Sequence, residues 1–128
     1  MFKNQSTLVG QVPPFETYPK TASEEILLGE VLKLASGKLT KGGDAPEFVS
    51  RSSAAATFTG DVTVERINDF DEYETELSAS GASLNVGDKV TIASDGLRAT
   101  ATTTSGVFTI TKILGTATGS KIRGMFRR

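Results

Sequence analysis

The feature that most constrains this chain is a series of short alternating segments, each stopped by glycine. "GEVLKLAS", "GDVTVERI", "YETEL", "KVTIAS" and "GVFTITKIL" set apolar residues at alternate positions. That is the period of a strand buried on one face. Between such segments stand "SGK", "KGGDAP", "SDG" and "TTSG", built from the residues that reverse a chain. "EEILLG" has good helix formers, but Gly29 argues against continuing a helix there, and residues 67–76 have room for one turn at most. The pattern predicts an all-β protein: a single small barrel or sandwich of about eight short strands, over residues 23–128. A length of 128 residues suits one such domain.

Residues 1–22, "MFKNQSTLVGQVPPFETYPKTA", differ from the rest. Pro13, Pro14 and Pro19 fix φ and remove backbone donors, and each biases its predecessor to extended geometry. Phe2, Leu8, Val9, Phe15 and Tyr18 are scattered apolar anchors without helical or strand period. The segment reads as an extended N-terminal arm, with more aromatic residues than a solvated tail carries. It lies against its own domain or against a neighbouring protein.

Two stretches nearly repeat. "LGEVLKLASGKLT" at 28–40 superposes on "VGDKVTIASDGLRAT" at 86–100 through Gly29 and Gly87. Leu28, Glu30, Leu32 and Leu34 then fall on Val86, Asp88, Val90 and Ile92. Glycine permits a sharp entrance to a strand, and alternate Leu, Val or Ile residues fill one face. A ligand site would use Glu30 and Asp88 as paired carboxylates. Neither has a His, Cys or second acid at ligand spacing, and strand entrances are usually exposed. The repeat reads as one structural device used twice, on a match too short to establish an internal duplication.

The chain has no His and no Cys. The commonest general base and the thiolate metal ligand are therefore missing, and no disulfide framework is possible. Ser, Thr and Lys remain as nucleophiles, but each needs an activating base. No Walker loop, dinucleotide fingerprint or nucleophile elbow appears. "NDFDEYE" lacks the order of a calcium loop and reads as a solvated acidic turn. The reading is a non-enzyme with no cofactor and no metal. Fourteen basic against fifteen acidic side chains leave a net charge of −1, so no basic field for nucleic acid exists; the basic "KIRGMFRR" is a terminus or edge strand. No run approaches the ~20 apolar residues of a membrane helix, and the first residues do not form a signal peptide. Glu72, Glu74 and Glu76 form one face of a strand that must meet water or a basic partner.

The segment "GEVLKLASGKLTKGGDAPEFVSRSS" resembles the opening of the phage capsid decoration proteins, also called head-stabilising or cement proteins. A Gly-acid strand ends at a Gly turn, and a short Lys/Thr strand and a Gly/Asp/Ala-Pro loop follow. Gly29, Glu30, Val31, Lys33, Leu34, Gly37, Lys41, Gly43, Asp44, Ala45 and Pro46 stand in those places. The resemblance covers residues 25–67; Glu47-Phe48-Val49 departs from the usual small apolar strand start. It implies a virion protein, made in the host cytoplasm, that binds the outer capsid surface and clamps neighbouring major capsid subunits, with a homotrimer favoured. On that reading Phe2, Leu8, Val9, Phe15 and Tyr18 are the expected capsid contacts, since aromatics dominate binding hot spots. The alternative is a head-fibre base or a module that binds glycans or a host surface.

Overall fold

A computed structural model describes residues 1–7 and 15–126. Every regular element is a strand: β1 (Lys3–Thr7), β2 (Phe15–Pro19), β3 (Val31–Ala35), β4 (Lys38–Lys41), β5 (Phe48–Ser50), β6 (Asp61–Arg66), β7 (Asp71–Leu77), β8 (Lys89–Val90), β9 (Arg98–Ala99), β10 (Phe108–Ile113) and β11 (Lys121–Met125). One sheet of five strands runs β2-β6-β5-β3-β4. The other, of six, runs β1-β7-β11-β10-β8, with β9 bonded in parallel to β7. The molecule is all-β and sandwich-like. The expectation of about eight strands falls short, chiefly because residues 1–22 supply β1 and β2. Their described parts belong to both sheets: β1 pairs with β7 and β2 with β6.

In chain order the two sheets follow one plan. The first strand lies beside the fifth, the fifth beside the fourth, and the fourth beside the second. The third then meets the end of the first in parallel, through Lys20 and Leu39 in one sheet and Leu77 and Ala99 in the other. Each sheet therefore curls, but stops short of a closed barrel. Cross-strand pairs correspond as well: Leu32 with Phe48 matches Val90 with Phe108, and Leu34 with Leu39 matches Ile92 with Ala99. Ser50 with Val64 likewise matches Ile110 with Gly124. The chain is thus two copies of one five-stranded unit, residues 15–66 and 71–126, with β1 added to the second. The short repeat seen in the sequence falls at equivalent places in this correspondence.

Each unit buries an equivalent core. Ile26, Leu32, Leu39, Phe48 and Val62 fill the first, and Leu84, Val90, Ala99, Phe108 and Ile122 stand at the same places in the second. Val64 corresponds to Gly124. A Cβ on Gly124 would lie 2.6 Å from the Phe108 ring, so the ring takes the space that Val64 fills in the first unit. Truncating either buried phenylalanine removes contacts worth about 3–5 kcal/mol.

The units meet along a seam. Val31 and Val49, on the outer face of the first sheet, pack into the core of the second unit with Phe2. Phe2 sits against Phe108 and Phe126 with ring centroids 5.4 and 5.1 Å apart. The hairpin 93–98 of the second unit reaches across, and the Gly96 carbonyl accepts the Val31 N–H at 2.8 Å. In the second unit the places of Val31 and Val49 are taken by Lys89, which is exposed, and Thr109, half-buried. Among the described residues the apolar outer face therefore belongs to the first unit alone.

Candidate functional site

The repeated motif is a turn. In Leu27–Glu30 and in Asn85–Asp88, the fourth residue donates its N–H to the first carbonyl, at 3.1 Å in both. Gly29 and Gly87 occupy the third position with φ of +82° and +99°, as a type II turn requires. The acid then clamps the turn. Glu30 Oε1 accepts the Leu27 N–H at 3.3 Å, and Asp88 Oδ2 accepts the Asn85 N–H at 2.9 Å. Each turn docks on one residue of the fourth strand, Ser50 or Ile110, which both accepts from the glycine and donates to the acid's carbonyl. One oxygen of each carboxylate is therefore held by its own turn. β3 and β8 begin only after the acid. Leu28 and Val86, expected on the inward face of a strand, are instead the second residues of the turns and are 43% and 63% exposed. Glu30, expected to be exposed, is 1% exposed because the Gly96 hairpin covers it.

The expected contact residues have separate fates. Leu8 and Val9 lie outside the described residues. Phe2, at 2% exposure, is a core residue of the second unit. Tyr18 is half-buried with its ring against Phe48, and its hydroxyl hydrogen-bonds Glu16. Glu16 also accepts from Arg66 Nε at 2.7 Å and Nη2 at 2.8 Å, and the Arg66 bonds hold its carboxyl below the usual range. Phe15 stands out from β2 at 57% exposure, with the Arg51 guanidinium 5.3 Å from its ring centroid. Of the five, Phe15 alone combines a large apolar group with an open surface among the described residues.

The glutamate row of β7 finds its partners inside the chain. Glu74 meets Arg123 at 3.1 Å and Lys121 at 3.5 Å, Glu72 accepts from the Thr111 hydroxyl, and Glu76 pairs with the N-terminal ammonium at 2.6 Å. The Arg123 bond holds the Glu74 carboxyl low.

Sequence reasoning missed two features. Leu28 and Val86 form an equivalent exposed pair; the superposition aligned them but assigned them to strand faces. The second is a set of polar groups buried in the seam. Glu65 is 2% exposed, and its Oε1 accepts from Asn4 Nδ2 at 3.0 Å. Buried Asp71 accepts from Asn68 Nδ2, and the Tyr73 hydroxyl is buried beside Glu65 and Asn4. Burial pushes the Tyr73 phenol and the Glu65 carboxyl up. Among the described residues, no group of three or more His, Cys, Asp or Glu side chains is placed to hold a metal ion. No known family's sequence profile matches the chain, and no curated protein does.

Proposed function

We propose that this protein is a structural component of a phage virion that binds the outer capsid surface, clamps neighbouring major capsid subunits and so stabilises the head. The observation that carries this reading is the pair of apolar turn tips. Leu28 and Val86 occupy the same position in two copies of one unit, and both face solvent. A turn tip without a partner is ordinarily polar. Two like tips on one chain suit a surface that itself repeats, such as a lattice of identical subunits. Two modest contacts on such a lattice act as one strong one, because the second forms intramolecularly. Phe15 beside Arg51 adds a residue pair of the kind that dominates binding energy. The resemblance across residues 25–67 supports the same partner, the major capsid protein, and a homotrimer would multiply these contacts. The test is sedimentation of the protein with expanded capsids, followed by calorimetry of the particles. The reading predicts co-sedimentation at micromolar protein and a raised particle melting temperature. No association at that concentration refutes it.

A further inference from the structure

The seam holds two buried carboxylates, and each lacks a hydrogen bond on its Oε2 atom. Glu30 reaches the seam from the turn before β3, where the Gly96 hairpin covers it. Glu65 reaches it from β6, against Asn4 of β1 and the Tyr73 side chain of β7. We propose that the seam is a proton-operated joint: protonated Glu30 and Glu65 hold the two units together, and their ionisation loosens the contact.

The surroundings favour the neutral acids. An ionised carboxylate out of water is costly unless paired and hydrogen-bonded. Each acid has one basic partner, in an ion pair longer than a hydrogen bond: Lys41 Nζ at 3.6 Å from Glu30 Oε2 and Arg51 Nη1 at 3.8 Å from Glu65 Oε2. Both cationic side chains stand well out in solvent, where their attraction is screened. Further negative charge faces each acid, from Glu24 towards Glu30 and from Asp71 towards Glu65. The other charges nearby do not help: Asp95 and Arg98 of the hairpin pair with each other at 2.9 Å, and Lys3 of β1 is exposed. Burial is the main influence raising both carboxyls above the ordinary value of 4.5. The folded state therefore holds more protons than the unfolded one in the window above that value. Stability from this source is full below the window and lost as pH rises through it. The second unit lacks the device: Asp88, half-buried, matches Glu30, and Met125 matches Glu65. Buried acids thus mark the seam rather than the unit.

The test uses the full chain. Hydrogen exchange at the Val31 and Phe2 amides, both bonded across the seam region, is followed with the melting temperature from about pH 4 to about pH 8. The variants are Glu30→Gln with Glu65→Gln, Glu65→Met alone, and Asp88→Asn as the same turn away from the seam. In the unaltered protein, protection of the Val31 amide, corrected for intrinsic exchange, falls roughly tenfold or more towards the alkaline end. The double Gln variant keeps its protection across the range and melts about 3–6 °C higher at neutral pH. Glu65→Met shows part of the same gain, and Asp88→Asn keeps the original profile. A pH profile unchanged by the Gln pair and by Glu65→Met, or one flattened equally by Asp88→Asn, overturns the proposal.

Discussion

Gly29 and Gly87 fill one position of one turn, yet their surroundings differ, and substituting each by alanine separates the turn from the seam. Both have positive φ, so an alanine at either carries a backbone cost of about 1–2 kcal/mol. At Gly87 nothing lies within 4 Å of the added methyl, and the cost ends there. At Gly29 the methyl would sit 2.5 Å from Met1 Cβ and 3.1 Å from the Phe2 carbonyl oxygen. The chain start must move, and with it the Phe2 ring that packs on Phe108 and Phe126. Forcing such a shift in a packed core adds about 1–3 kcal/mol. At roughly 3–6 °C per kcal/mol, Gly29→Ala should melt on the order of 10 °C below Gly87→Ala. Circular dichroism melts of the two variants at matched pH measure the difference directly. Equal melting temperatures, or a larger loss for Gly87→Ala, would refute the docking of residues 1 and 2 against the first turn.

Three further outcomes follow from the same contacts. Phe2→Ala should cost about 3–5 kcal/mol by denaturant titration, whereas Phe15→Ala should stay within about 0.5 kcal/mol; the reverse order would exchange their roles. Arg66 holds the Glu16 carboxyl low, so that pair contributes stability at neutral pH that is lost as pH falls through the depressed folded value. The drop in melting temperature between about pH 5 and about pH 3 should therefore be smaller in Arg66→Leu than in the unaltered protein, and an equal drop would contradict the pairing. Phe48→Ala and Phe108→Ala, at equivalent core positions, should each lower stability by about 3–5 kcal/mol, and a near-neutral result for either would deny the correspondence of the two cores.

Much of the strand content was legible because alternation is a local property. Val62, Val64, Tyr73 and Leu77 are buried as their spacing predicts. The seam was not legible, because alternation describes one buried face and the first sheet buries both. Glu65 lies on the face of β6 opposite Val62 and Val64 and would be assigned to solvent, yet it lies under the second unit. The correspondence of the two units was hidden for a related reason. Positions that fill the cores, such as Phe48 and Phe108, stay alike, while those on the outer face diverge, Val31 against Lys89 and Glu65 against Met125. The first strands of the units, "FETYP" and, by register, "EYETE", alternate in the same phase but at different depths: β2 sets exposed against half-buried residues, and β7, bonded by β1, β9 and β11, sets half-buried against buried ones. The burial of Phe2 was hidden for want of pairing information: it follows from β1, the next five residues, pairing with β7, which so short a strand does not reveal by its own pattern.

The most direct test of the account is a binding isotherm on expanded capsids for the unaltered protein, a variant with both Leu28→Ser and Val86→Ser, and each single variant. Because both tips are exposed and make no core contact, all four proteins should melt within about 2 °C of one another. The account predicts that each single variant weakens binding and that the double variant weakens it by roughly a hundredfold or more, as loss of a bivalent contact requires. Unchanged binding by the double variant, at an unchanged melting temperature, would contradict it.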